Sequence, residues 1–171
     1  MSSDSQYVVG PADRVTLLQG PLGAVLMLGA ERTDGRLSVV EHPLAPRALG
    51  SPVHTHRNED EYSVVLEGVI GAEVGGQVIE AGPGVVLVKP RGVPHAFWNP
   101  ADEPARLLEI ISPAGFEQYF ADLAEIFGTA GAPDPRRLAA AADRYGLDVD
   151  FSSIPRLAAA FGLQVAPPDQ D

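Results

Sequence analysis

From residue 7 to residue 112 the chain alternates short apolar runs with turn-forming residues. Residues 7–9, 15–18, 24–28 and 37–40 read as strands, separated by Gly10-Pro11, Gly20-Pro21 and Thr33-Asp34-Gly35. Asp34-Gly35 supplies the positive φ that a tight hairpin needs. Residues 45–52 form a loop carrying two prolines and Gly50. Further strands are expected in the stretch carrying His54 and His56, and at 61–67, 69–74, 77–81, 85–88, 95–99 and 105–112, with Gly75-Gly76 as a two-residue hairpin turn between 69–74 and 77–81. Many short strands at close spacing predict an all-β sandwich or barrel.

After Pro113 the period changes. Phe116, Phe120, Leu123 and Phe127 recur at helical spacing, and Gly128 ends the run. Asp134-Pro135 pairs an N-cap with proline at the first helical position, opening a helix over 136–145, and Gly146 is its stop. Ser153 and Pro155 open a third short helix over 156–161. Residues 1–6 read as a frayed end, and the chain from Gln164 as a loose tail. The pattern divides the chain into a β-unit over 1–113 and a C-terminal helical extension over 114–171, packed on the β-unit.

Composition narrows the classes of partner. The net charge is −11, and Lys89 is the single lysine among 12 basic residues. So acidic a surface repels phosphate backbones and anionic lipid, so nucleic acid and membrane are not expected as partners. There are no cysteines, which removes disulfides, thiolate metal sites and cysteine nucleophiles. No basic start is followed by an apolar run, and no apolar run is long enough to span a bilayer. The expectation is a cytoplasmic protein.

The chemistry concentrates in one stretch. The chain has four histidines. His54 and His56 stand two apart, so a strand presents both imidazoles on one face. Glu59, Asp60 and Glu61 follow, and His95 comes after the turn Pro90-Arg91-Gly92-Val93-Pro94. Imidazole with carboxylate suits Zn, Fe, Ni, Mn or Cu. Alternation from His95 puts Phe97 and Asn99 on the histidine's face and Trp98 on the other. Alternation from Glu61 turns Ser63 and Val65 inward and Tyr62 outward. With Met27, Val65 and Phe97 suggest an apolar pocket. His42 reads as an ordinary surface or half-buried residue, Glu59 and Asp60 as a solvated turn, and Arg57 and Arg91 as surface residues flanking the pattern.

Two spaced motifs in these residues resemble those of the cupins. His54, His56, Glu61 and Gly68 fall at the intervals of the first cupin motif, within residues 48–68. Ala48 stands where that motif has its first glycine, with Gly50 two residues on. Gly84, Pro90, Gly92, His95 and Asn99 match every position of the second motif, residues 84–99. The resemblance implies a small antiparallel jelly-roll barrel, to which the helical spacing after Pro113 adds short C-terminal helices. It also implies one divalent transition metal ion (Ni, Fe, Mn, Zn or Cu) held by His54, His56, Glu61 and His95. The spacing to Gly68 selects Glu61 over its acidic neighbours.

The segment 112–120, Ser-Pro-Ala-Gly-Phe-Glu-x-x-Phe, resembles that of quercetinase-type dioxygenases, which use the same ligand set. The activity this implies is a metal-dependent dioxygenase acting on a small phenolic or enolic molecule and O2. Glu61 would serve as the catalytic base, and Ser63, Val65, Phe97 and Asn99 would line the substrate pocket. Two alternatives stand beside it: a non-redox metal cupin such as a polyketide cyclase or isomerase, and a non-catalytic cupin that binds a small ligand. Open sheet edges need covering, and a homodimer is expected.

Overall fold

The computed structural model describes residues 7–129 and 132–164. The expectations for residues 1–6, and for the tail beyond Gln164, lie outside the described residues. Eleven strands make two antiparallel sheets among them. They are β1 (Val15–Leu18), β2 (Ala24–Leu28), β3 (Ser38–Leu44), β4 (Val53–His56), β5 (Asp60–Glu67), β6 (Ile70–Val74), β7 (Gln77–Ala81), β8 (Val86–Lys89), β9 (His95–Trp98), β10 (Ala105–Ser112) and β11 (Leu147–Asp150). Three short helices follow the pattern break: α1 (Gln118–Phe127), α2 (Pro135–Arg144) and α3 (Ser153–Phe161). No described helix is long and apolar enough to cross a membrane.

The six-stranded sheet runs β1-β2-β3-β10-β5-β8, and the five-stranded sheet runs β11-β4-β9-β6-β7. The expected barrel is corrected here: the two sheets are not closed into one. Alternation tells which face of a strand is buried, but it does not tell which strand is its neighbour, so closure was not readable. Leu44, Val65, Leu87 and Leu107 of the larger sheet pack with Ile70, Ala72, Ala81 and Phe97 of the smaller one, which places a core between the sheets.

Turn chemistry follows the sequence closely. Gly75 and Gly76 have φ of 56° and 81°, the paired positive values of a tight hairpin, and join β6 to β7. Gly92 has φ of 74° and donates its N–H to the His56 carbonyl at 2.8 Å, tying the Pro90–Pro94 turn to β4. Asp134 caps α2 by accepting from the Arg136 N–H at 2.9 Å.

Two elements differ from the sequence reading. Residues 7–9 form no strand; Tyr7, Val8 and Val9 are exposed beside a short 3-10 turn at Pro11–Asp13. The C-terminal segment, read as helical, contributes β11 as well. This strand pairs with β4 in the register Leu147↔His56 and Val149↔His54, so it flanks the histidine strand directly. Its alternation of Leu147 and Val149 with Asp148 and Asp150 was a period-two signal, four residues long and easily absorbed into the helical region around it.

The helices cover what the sheets leave open. Phe116, Tyr119, Phe120, Leu123 and Ile126 from the α1 region pack with Leu18, Ala24, Val40 and Ile111 of the six-stranded sheet. On the outer face of the five-stranded sheet, Trp98 is buried against α3 and stacks on Phe161 with centroids 4.2 Å apart. That agrees with Trp98 pointing away from the histidine face. Gln164, placed in the tail by sequence, bridges to Ala48 and donates its N–H to the Arg47 carbonyl at 2.7 Å.

Candidate metal centre

The strand register assembles the cluster. β4 carries His54 and His56 on its inner face, and β9 pairs with it in the register His54↔His95. Glu61 enters from β5, on the opposite sheet, where it sits across from Lys89 of β8. One ligand atom from each of His54, His56, Glu61 and His95 lies within 4.8 Å of the others, and all four residues are buried.

Hydrogen bonds fix two of the three imidazoles. His54 Nδ1 meets the Pro52 carbonyl at 2.9 Å, and His95 Nδ1 meets the Val93 carbonyl at 3.0 Å. A carbonyl only accepts, so both Nδ1 atoms carry the proton and both Nε2 atoms present a lone pair. His95 Nε2 nevertheless lies 3.2 Å from Glu61 Oε2, which as a carboxylate oxygen is also an acceptor. His56 Nε2 lies 3.2 Å from Glu61 Oε1, and neither ring nitrogen of His56 has a hydrogen-bond partner. Buried acceptors facing one another need a proton or a cation between them. Two ligands bound at about 2.0–2.2 Å to one ion stand about 3 Å apart, so the donor set fits a divalent transition metal. The residues that would hold it are His54, His56, Glu61 and His95.

Electrostatics favour the metal-binding form at two of the three histidines. Burial drives the His54 imidazole well below its ordinary value, and the neighbouring His95 and His56 add to this. Burial also lowers His95, against the pull of Glu61. Both are thus neutral, the form that binds metal. His56 differs: burial opposes its charged form, but Glu61 and Glu59 outweigh burial and raise it to about 9. Burial would raise Glu61, yet Lys89 and His56 hold it well below the carboxylate range.

Several neighbours were not expected from sequence. Lys89 is 1% exposed, with Nζ 2.8 Å from Glu61 Oε2 and 2.7 Å from Glu109 Oε2. Ser63 Oγ donates to Glu109, at 2.9 Å from Oε2. Two signals could have found this network: Lys89 is the chain's only lysine, and Glu109 interrupts the apolar run Leu107-Leu108 and Ile110-Ile111. Burial raises Glu109 to about 7 despite Lys89. Glu59, read as solvated, is buried just before β5 with Oε2 3.3 Å from His56 Nδ1. His42, read as surface or half-buried, is fully buried; its Nδ1 donates to the Gly23 carbonyl at 2.8 Å, and its ring lies between Phe97 and Phe120. Burial lowers it to about 4.

The expected pocket residues divide. Ser63 reaches the centre through Glu109, and Phe97 lies with its ring centroid 5.2 Å from Lys89 Nζ. Val65 is packed in the core between the sheets. Asn99 serves the loop: its Nδ2 donates to the Ala45 and Glu103 carbonyls, and its Oδ1 accepts from the Ala101 N–H. Met27 lines a surface cleft with Val9, Asp13 and Val15, away from the centre. Phe116, not singled out as a site residue, covers His56 edge-on with centroids 4.3 Å apart. Arg57 pairs with Asp148 and Asp143, and Arg91 with Asp60, so both cations are engaged at the rim.

Comparison with known proteins agrees with this architecture. Residues 41–111, less than half of the chain, match the family model described as "Cupin domain". No curated protein matches the sequence. A predicted oxalate decarboxylase from Thermotoga maritima is 19% identical, with a TM-score of 0.55, covering 62% of this chain and 98% of its own. An RmlC-like cupin from Shewanella frigidimarina is 21% identical, with a TM-score of 0.54, covering 64% of this chain and 93% of its own. Lactobacillus farciminis oxalate decarboxylase, in a formate complex, is 17% identical with a TM-score of 0.53; the match covers 61% of this chain and 32% of that one. At these identities the likeness is one of fold. Residues 41–111 resemble a cupin domain, and within the fold lies a cluster of three histidines and one glutamate that could bind a metal ion.

Proposed function

We propose that the cupin domain at residues 41–111 houses a metal-dependent enzyme, and that its reaction is a dioxygenation of a small phenolic or enolic molecule. The observation that carries the metal-dependent part is the pair of facing acceptors, His95 Nε2 and Glu61 Oε2, beside a His56 ring with no hydrogen bond on either nitrogen. When bound, the ion supplies Lewis acidity toward an oxygen anion and, if redox-active, a path for electrons to O2. The remaining steps belong to the chain. Glu61 accepts the proton of the substrate hydroxyl; the O–H bond breaks and its electron pair stays on the substrate oxygen. His54 and His95 stay oriented through the Pro52 and Val93 carbonyls. Phe116 over His56, and Phe97 beside Lys89, keep water from the centre and offer an aromatic wall to a flat ring.

The dioxygenase class rests on the resemblance of residues 112–120 and on the ligand set. It is tested by oxygen-electrode assays of protein reconstituted with Ni, Fe or Mn, against a flavonol and simpler enols. Oxygen uptake that depends on metal and substrate together is the expected result. Substrate turnover without oxygen uptake would move the protein to the cyclase or isomerase class, and binding without turnover to the non-catalytic one.

A further inference from the structure

The candidate centre is closed to solvent. His54, His56, Glu61 and His95 are 7%, 1%, 4% and 1% exposed, so a molecule of substrate size does not reach them in this structure. The sheets around them cannot part without breaking ladder hydrogen bonds. Phe116 is a different kind of cover, because it comes to His56 from the connection between β10 and α1. Its ring is 4% exposed and also meets Tyr119, Phe120 and Tyr145, none of them on a strand. Just before it the chain is anchored: Ser112 Oγ donates to the Arg36 carbonyl at 3.0 Å, and the Ala114 N–H to the Gly35 carbonyl at 3.1 Å. Gly115 follows with φ of 124°, a value that side chains disfavour, so the chain turns there between its anchor and the covering ring. Glu117 is 1% exposed, and its Oε2 accepts the Gly115 N–H at 2.6 Å, which ties the turn shut. Among the described residues no basic side chain pairs with that carboxylate. Opening the turn would hydrate it, which offsets part of the cost of exposing the Phe116 ring.

We propose that Phe116 is the access-determining residue of the centre, carried on Gly115 as a pivot and held closed by Glu117, and that a substrate reaches the three histidines and Glu61 only when the Phe116 ring withdraws. This rests on reading the cluster as a site that a substrate enters. It gives a role to residues 115–117, which lie within the segment 112–120 that sequence singled out. The closed form shields the centre, and the open form admits a ligand, so one short connection carries both states.

The test treats the metal-free full chain with diethyl pyrocarbonate, which modifies accessible imidazoles, and reads each histidine by peptide mass spectrometry. Phe116→Ala is expected to speed modification of His54, His56 and His95 by about tenfold or more over wild type. Glu117→Ala keeps the covering ring and loosens its tie, so it should shift the same rates in the same direction by less. Glu117→Gln retains an acceptor for the Gly115 N–H and should stay near wild type. Leu107→Ala cuts the core between the sheets, away from the Phe116 cluster, and should leave these rates near wild type as well. Wild-type rates in both Phe116→Ala and Glu117→Ala overturn the proposal, as does an equal acceleration in Leu107→Ala, which would report general loosening. The assay holds no ion, so its outcome is separate from metal analysis: a protein that binds no metal can still show the cover, and one that binds metal can still lack it.

Discussion

Around β5, β8 and β10 the inner face of the six-stranded sheet departs from that of a usual half-buried sheet, since it sets buried charges among the apolar core residues. Its inner face carries Glu61 and Ser63 on β5, Lys89 on β8 and Glu109 on β10, all buried. Its outer face carries Tyr62, Val86 and Val88, which are 37%, 51% and 55% exposed. Ordinarily an antiparallel sheet turns apolar residues inward and polar ones to water. Buried charges are costly unless each is paired, so their presence on the inner face points to a task other than stability. Apolar residues on an outer strand that is also a sheet edge point to a surface that is better covered than bare. The same alternation thus places a buried charged group on one side and an exposed apolar strip on the other.

The largest expected effect breaks the inner face at its centre. His95→Ala removes one imidazole and the acceptor that faces Glu61. Metal analysis of purified protein is expected to give near-stoichiometric ion in wild type and almost none in the variant, and equal contents would reject the ligand assignment.

Next comes the charge network. Lys89→Met leaves Glu61 and Glu109 without their shared cation, and removing one partner of a buried charge group costs about 3–5 kcal/mol. Urea unfolding of metal-free protein measures it. Lys89→Met/Glu109→Leu should recover much of that loss, since an apolar replacement of a whole buried pair is often neutral. A single variant as stable as wild type would show that the inner face tolerates unpaired charge.

The third contrast compares the two faces directly. Leu107, fully buried between the sheets, is expected to cost about 2–5 kcal/mol when cut to alanine. Val88→Thr on the outer face should stay within about 0.5 kcal/mol. Similar losses at both positions would mean that the outer face is packed in solution. The homodimer expected from sequence is checked in the same samples, because a wild-type light-scattering mass near 18.0 kDa contradicts it.

The smallest effect lies at the rim. Arg91 holds Asp60 through its guanidinium and backbone N–H, lowering its carboxyl to about 2. A carboxylate depressed below its unfolded value of about 3.9 contributes stability above that value and loses it as pH falls through the folded one. Asp60→Asn should therefore lower Tm slightly at pH 7, with the gap closing between about pH 4 and pH 2. A gap that is constant with pH would mean that the Asp60–Arg91 contact contributes no charge-dependent stability.

Much of this was legible in the residues. The spans of β1, β2, β7 and β10 match the sequence pattern residue for residue, because each is bounded by turn-forming residues that admit little else. The α1 region followed from its phenylalanine spacing, and the cap of α2 from Asp134-Pro135. His54, His56, Glu61 and His95 were found together because motif spacing on strands fixes both face and order. Lys89 and Glu109 escaped for the opposite reason. They lie 20 residues apart on strands that never touch, since β5 runs between β8 and β10, so no local period connects them. Glu59 escaped because it lies outside β5, in the connection from β4, where no strand alternation assigns it a face. β11 escaped because four residues of alternation carry too little signal between two helices.

Sequence by itself determined the local alphabet: which segments extend, where they turn, and which face of each strand looks inward. Those properties depend on neighbours within a few residues, through backbone sterics and the two-residue side-chain period. The tertiary structure decided which inward faces meet. It set the two sheets against each other without closing them, brought β11 beside the histidine strand, and placed the single lysine between Glu61 and Glu109. Those outcomes depend on pairings among distant strands, and their energies come from charges and apolar surface that meet only after the chain has folded.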